Sequence, residues 1–163
     1  KELCKSNATD KDYYLAQFVI LTLLVEFYDG QGSTSKSREF LKLGELQNII
    51  SERLKAGLAL EQEREQENTN IYSELYENVL DYKSMSDAYE SLRSVETGSR
   101  SKYTKEGYVS IICNFLDRQG LIIFIPEDEM IKTTAKLDNI MEYKILNKEN
   151  YTRIMEALGK AHE

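Results

Sequence analysis

The sequence predicts a mainly α-helical protein, in which a helical bundle or hairpin is followed by a winged-helix-like unit with one small β-hairpin. Three observations support this prediction. Its 163 residues include a single proline, Pro126, and only eight glycines, so little interrupts helix formation. Apolar residues recur at three- and four-residue steps, which is the spacing of one helix face. The clearest strand signal is the apolar run 121–125, which is rich in β-branched side chains.

The first predicted helix is capped by Asn7, Thr9 or Asp10 and ends at Tyr28. Residues 15–27 are apolar on nearly every face, so we expect other helices to surround them. Polar residues interrupt this segment, and it is shorter than the roughly 20 residues that cross a bilayer. It is therefore interpreted as a core helix, and no membrane association is expected. Turn-forming residues at 29–35 predict an exposed loop.

Two further helices are predicted in the first part of the chain. The second begins near Gly44, and the acidic stretch 61–68 is either its solvated end or the joint of a helical hairpin. We favour a hairpin with its turn near 67–70. The third is predicted as one helix of about six turns at 71–92, because its apolar residues alternate steps of three and four.

The apolar seam of the third predicted helix has two interpretations. It can pack against residues 46–58 of the same chain, which we favour, or part of it can contact another protein. Its tyrosines support the second interpretation, because aromatic residues are enriched at interfaces, and some of them should then be exposed. These tyrosines are Tyr72, Tyr76, Tyr82 and Tyr89.

The last third of the chain has the layout of a winged-helix unit. Thr104 can cap a helix that ends at Gln119 and Gly120, where glycine supplies a left-handed closing residue. Strands at 121–125 and 130–132 then flank a turn at 126–129. Thr133 or Thr134 caps a further helix, and a last helix opens at Asn147 or Asn150.

Charge argues against a protein that binds phosphate backbones. The chain has 21 basic and 28 acidic residues, a net charge of −7, and the predicted wing carries Glu127, Asp128 and Glu129. We therefore expect direct DNA binding to be weak or absent and a protein partner instead. The alternative is a winged-helix nucleic-acid-binding regulator. Its candidate contact residues, for a partner or for nucleic acid, are Arg100, Lys102, Lys105 and Tyr108.

No catalytic, metal or cofactor site is expected. The single histidine, His162, lies at the C-terminus, so a histidine-based relay or metal site cannot be assembled. Two distant cysteines, Cys4 and Cys113, indicate free thiols in a reducing compartment, which predicts a cytoplasmic protein in which Cys113 is buried.

Glu26 and Asp29 form an acidic pair at the end of an apolar helix. A buried carboxylate there could serve as a general acid or base. We favour a structural role, because an isolated buried charge is very costly. Asp29 is then expected to terminate the helix, and Glu26 to accept a hydrogen bond or ion pair from Arg38.

Several short motifs resemble a Firmicutes family of unknown function, over most of the chain. They are Glu26-Phe27-Tyr28-Asp29, Arg38-Glu39-Phe40, Glu52-Arg53, Phe115-Leu116 and Gln119-Gly120-Leu121-Ile122. That family is similar in plan to MukE-like, or kite, winged-helix subunits of condensin-like complexes, which bind a kleisin and assist an SMC-type ATPase. The resemblance implies a non-enzymatic accessory subunit with a kleisin-like or other protein partner, and a homodimer is a further expectation.

A polar break at 95–101, which contains Gly98, divides the chain into two regions. We expect a helical bundle region at 1–98 and the winged-helix-like unit with C-terminal helices at 99–163. In kite subunits another winged-helix domain precedes the helical middle. Because this chain begins at Lys1 rather than Met, we expect a fragment that lacks an N-terminal domain.

Overall fold

The computed structural model describes residues 10–28, 36–66, 81–93 and 103–141. Those residues form a mainly helical fold with one small antiparallel sheet, which confirms the predicted fold class. In chain order the elements are α1 (Asp10–Phe27), β1 (Leu41–Lys42), α2 (Leu43–Gln66), α3 (Tyr82–Glu90), α4 (Lys105–Arg118), β2 (Ile122–Ile125), β3 (Met130–Thr133) and α5 (Ala135–Ile140).

The sheet has the strand order β1-β3-β2 and is antiparallel throughout. Strands β2 and β3 form the predicted hairpin. Ile131 of β3 lies opposite Phe124 of β2 on one side and opposite Leu41 of β1 on the other. Strand β1 was not predicted, because two residues are too few to show an alternating pattern.

One face of the sheet belongs to the hydrophobic core. Leu41, Ile122 and Ile131 are at most 1% exposed, and they join a single cluster with buried residues of all the described helices. The strand β1 therefore brings the first part of the chain into one sheet with the C-terminal hairpin. The predicted boundary between residues 98 and 99 lies outside the described residues.

The helix that carries the tyrosine seam begins later than predicted. Asp81 is not helical, with φ −72° and ψ 85°, and its side chain accepts a hydrogen bond of 2.7 Å from the amide of Ser84. This N-cap starts α3 at Tyr82, so the prediction of one helix running through Asp81 from 71 to 92 is wrong. Residues 71–80 and the predicted turn at 67–70 lie outside the described residues.

The described part of the seam packs within the chain, as favoured. Helix α3 lies against both α1 and α2, where Met85 is fully buried. Tyr82 and Tyr89 are 6% and 1% exposed, so the expectation of surface tyrosines is wrong for these two. Tyr72 and Tyr76 lie outside the described residues.

Gly57 permits the close approach of α2 to α3. A Cβ at this position would overlap the ring of Tyr82, which itself packs edge-on against Phe18 with ring centroids 5.9 Å apart. The glycine thus has a packing reason, although it lies inside a helix where glycine is otherwise unfavourable.

The predicted helix ends around the hairpin are confirmed. The Thr104 side chain caps α4 by accepting from the amide of Gly107 at 3.0 Å, and Gly120 has the left-handed φ of 67° that closes this helix. Thr134, one of the two predicted candidates, caps α5. The last predicted helix lies outside the described residues. None of the described helices combines the length and apolarity that a membrane span requires.

Candidate protein-binding surface and its supporting ion pairs

The carboxylate of Glu26, at the end of α1, is held by two arginines. Arg38 donates from Nη2 to Oε2 at 2.9 Å, which confirms the predicted pair, and Arg53 of α2 donates to Oε1. The Glu26 and Arg53 side chains are only 11% and 9% exposed. Arg53 was not predicted as a partner of Glu26. Its position three residues after the core residue Ile50 and four before Gly57 places it on the buried face of α2, and this spacing was the signal that could have identified it.

The electrostatics of this cluster are those of a structural ion pair. Burial lowers the pKa of Arg53, and the neighbouring charge of Glu26 opposes that shift. Because both carboxylate oxygens of Glu26 accept hydrogen bonds from guanidinium groups, a structural role accounts for this residue. The other candidate of the acidic pair, Asp29, lies outside the described residues.

The same cluster fixes the segment that leads into β1. The Ser37 amide donates to the Phe27 carbonyl at 3.0 Å, and the Ser37 hydroxyl donates to the Glu26 carbonyl at 2.8 Å. Arg38 also pairs with Glu45 of α2 at 2.6 Å. Residues 37 and 38 are therefore attached to the end of α1 and to α2, and Phe40 and β1 follow immediately.

A second contact joins the end of α1 to α5. The Tyr28 hydroxyl donates to Oδ1 of Asp138, and the Lys36 ammonium lies 2.8 Å from Oδ2. Burial and the hydrogen bond to Asp138 raise the pKa of Tyr28. Burial tends to raise the pKa of Asp138, but hydrogen bonds from Lys36 and Tyr28 outweigh it, so the pKa of Asp138 is lowered.

The face of the sheet that points away from the core is exposed and largely apolar. Side chains alternate between the two faces of a strand, so Ile123 and Ile125 of β2 share this outer face with Met130 and Lys132 of β3. Phe40 and Lys42 extend it on the β1 side. Ile123 is 48% exposed and Phe40 47%, whereas Ile125 and Met130 are half-buried. We call these six residues the outer sheet face.

One backbone amide on the free edge of β2 is already bonded to a side chain. The backbone amide of Phe124 donates at 3.0 Å to the carboxylate of Asp117, which belongs to α4. An edge amide that is already bonded cannot pair with an added strand. The contact surface offered by this part of the sheet is therefore its face rather than this edge.

The acidic turn lies at one end of the outer sheet face. The side chains of Glu127, Asp128 and Glu129 are all exposed. The Leu43 amide donates to the Glu129 carbonyl at 2.8 Å, and the Lys42 ammonium donates to the Asp128 carbonyl at 2.7 Å. The turn is thus attached to β1 through backbone oxygens, and its carboxylates remain directed at solvent.

The other predicted contact residues do not form a surface patch in the described structure. The Lys105 ammonium pairs with Glu90 at 2.8 Å and lies 4.7 Å from the ring centroid of Tyr89. Tyr108 is 5% exposed, and its hydroxyl donates to the Asp12 carbonyl. It therefore belongs to the core, and its prediction as a surface contact residue is wrong. Arg100 and Lys102 lie outside the described residues.

Cys113 is a free thiol with 1% exposure, as predicted, and burial raises its pKa to about 12. At neutral pH it is protonated and unreactive, because the thiolate is the nucleophilic form. Cys4 lies outside the described residues. Across residues 10–28, 36–66, 81–93 and 103–141, no cluster of three or more acidic, cysteine or histidine side chains could hold a metal ion.

A family model matches the chain over residues 1–163. The chain belongs to a family of unknown function, DUF6063. This finding confirms the resemblance to a family without an assigned function. No curated protein and no solved structure matches the chain significantly. The family match therefore assigns no activity, ligand or partner.

Replacing Glu26 with glutamine should strongly destabilise the protein. The variant keeps the shape of the side chain but leaves the buried Arg53 without a compensating charge, which we expect to cost about 3 kcal/mol of unfolding free energy. Glu45→Gln is the matched control, because Glu45 is 49% exposed and its pair with Arg38 should be worth at most about 1 kcal/mol. Urea unfolding measures both variants, and equal small losses would contradict a structural role for Glu26.

Asp138→Asn should reduce stability at neutral pH by about 1 kcal/mol, since it removes a charged hydrogen-bond acceptor at a partly exposed site. The lowered pKa of Asp138 stabilises the fold above its unfolded-state pKa of about 3.9. That contribution disappears as the pH falls through the folded-state pKa. Thermal unfolding measured from pH 7 to pH 2 should show the unfolding temperatures of wild type and Asp138→Asn converging in acid. The control Asp128→Asn, at an exposed turn position, should have the wild-type unfolding temperature at neutral pH. A constant difference between wild type and Asp138→Asn would refute this linkage.

Proposed function

We propose that the chain is a non-enzymatic protein-binding domain whose contact surface is the outer sheet face. The observation that carries this proposal is the exposure of two large apolar side chains on the outer sheet face, Ile123 of β2 at 48% and Phe40, which directly precedes β1, at 47%. Ile123 and Phe40 lie on either side of Lys132 on this face, and together with the half-buried Ile125 and Met130 they favour a surface that is covered in an assembly.

The order of the elements supports a winged-helix arrangement. The predicted winged-helix layout places a two-stranded hairpin directly after a helix, as β2 and β3 follow α4 here, and β1 extends that hairpin by pairing with β3. Helix α4 then stands where a recognition helix stands, and the turn at 126–129 is the wing tip. Such scaffolds serve in both nucleic-acid binding and protein contacts, so the arrangement alone does not select between them.

Charge and burial favour protein over nucleic acid. The wing tip carries three exposed carboxylates, which would be repelled by a phosphate backbone. Lys105 is already paired with Glu90, and Tyr108 is buried. The residues that a nucleic-acid-binding regulator would use in the described part of the chain are therefore engaged elsewhere.

The more specific role is that of an accessory subunit in a condensin-like bacterial complex, with a kleisin-like partner. It is supported by the resemblance in plan to kite subunits and by the winged-helix order of the elements. The interacting surface assigned to it here is the outer sheet face, and the buried residues Tyr82 and Tyr89 of the tyrosine seam take no part.

Ile123→Thr should abolish binding of the native partner without unfolding the domain. Threonine retains a high strand propensity, while the contact loses most of its apolar area at that position. Leu60→Thr is the matched control, because Leu60 is another exposed apolar residue, 38% exposed, on α2. Affinity capture from cells of the source organism, quantified by mass spectrometry, should recover a protein with wild type and Leu60→Thr at equal yield and at least tenfold less with Ile123→Thr.

Equal capture by all three proteins would remove the outer sheet face from the proposal. Recovery of nucleic acid instead of protein, with a duplex DNA shift at low salt that weakens as salt rises, would favour the nucleic-acid-binding regulator.

A further inference from the structure

We infer that the outer sheet face binds a short, acidic, amphipathic helix of the partner protein. The inference rests on the proposed function and adds the chemistry of the partner. Three properties of the face support it, namely its size, its charge and the bonded amide on the neighbouring strand edge.

The size of the face suits one helix. Strands lie about 4.8 Å apart and rise about 3.3 Å per residue, so three strands of up to four residues present roughly 10 by 13 Å. A helix with its side chains is about 10 Å wide. A stable dimer of two copies buries about 800 Å² on each partner, far more than this face provides. A helix is therefore the better-fitting occupant than a second copy of the chain.

The charge of the face selects an acidic partner. Its charged members are Lys42 and Lys132, and both are exposed. Among the described residues neither forms an ion pair, and Lys42 donates only to a backbone carbonyl. Two ammonium groups beside exposed apolar side chains complement leucine-like residues flanked by carboxylates.

The acidic turn limits how far an acidic partner can extend, because its carboxylates repel those of the partner. Glu127, Asp128 and Glu129 lie beyond the end of the face, next to Met130. A partner that extends over the turn would need basic residues at that point. A partner confined to the outer sheet face contacts no charged residues other than Lys42 and Lys132. A short helix whose carboxylates lie over Lys132 satisfies both constraints, and this arrangement gives specificity through repulsion as well as attraction.

The bonded edge amide argues against an added strand. Asp117 already accepts the outward amide of Phe124, so a partner in extended conformation cannot continue the backbone ladder at that point. A helix satisfies its own backbone hydrogen bonds and needs only side-chain contacts from the face. The mode that fits is an amphipathic helix laid on an apolar surface.

The test uses a phage-displayed library of helical peptides whose exposed positions vary among Leu, Glu, Gln and Lys. Selection on the whole chain, with counter-selection on Ile123→Thr, should enrich peptides that place Glu beside a leucine stripe. The affinity of an enriched peptide, measured by fluorescence anisotropy, should fall at least tenfold with Lys132→Glu. It should stay within twofold of wild type with Lys55→Glu, a charge reversal at an exposed position of α2. Circular dichroism verifies that both variants remain folded.

The outcomes separate the inference from the proposed function. Enrichment of neutral or basic peptides that still require Ile123 would overturn the acidic partner and leave the protein-binding face intact. If selection yields no peptide that binds the wild type in preference to Ile123→Thr, the helical partner is overturned, and the affinity-capture experiment above decides the protein-binding face separately. A concentration-dependent dimer in light scattering that Ile123→Thr dissociates would overturn the helix in favour of a second copy.

Discussion

The position of strand β1 in the sheet depends on the carboxylate of Glu26. Glu26 lies in the last turn of α1, a helix that is buried on much of its surface, and its two carboxylate oxygens accept hydrogen bonds from Arg53 of α2 and from Arg38 of the segment before β1. A buried carboxylate is tolerated only when cations and hydrogen bonds compensate its desolvation. The backbone contacts of Ser37 complete the attachment, so the chain enters the sheet at a fixed place.

This attachment explains why a two-residue strand can be stable. Leu41 contributes one fully buried side chain opposite Ile131, and the Leu43 amide bonds to the carbonyl of Glu129. So few ladder contacts would not hold an isolated strand, because ordering its backbone costs about 1–2 kcal/mol per residue. With the preceding segment fixed at α1 and α2, that entropy is already lost, and Phe40 is displayed beside the hairpin on the outer sheet face.

Short-range sequence signals were sufficient to predict much of the fold and one contact of the site. Thr104, Gly120 and Thr134 act through hydrogen bonds or dihedral angles within a few residues, so their roles could be predicted from sequence. The pair between Glu26 and Arg38 followed from the cost of an isolated charge. Apolar periodicity, in contrast, cannot detect an interruption such as Asp81, because a capping residue fits the polar face of a continuous helix equally well.

The features that sequence could not supply are long-range. Strand β1 is defined by a partner about 90 positions away, and without that pairing Phe40 and Ile123 belong to unrelated segments. The tyrosines Tyr82 and Tyr89 showed the complementary difficulty, since an aromatic seam suits a core and an interface alike. The packing of α3 on α2 shows that this part of the seam belongs to the core. The proposed contact surface is therefore the outer sheet face.

Amide hydrogen exchange measured by NMR on an Arg38→Gln variant tests most directly whether the ion pairs at Glu26 hold β1 in the sheet. Arg38 is partly exposed, so its removal should loosen the attached segment without unfolding the core. The amides of Ser37 and Leu43 should then exchange at least tenfold faster, while that of Phe124, bonded to Asp117, keeps its wild-type rate. Unchanged exchange at Ser37 and Leu43, or an equal acceleration at all three amides, would contradict this account.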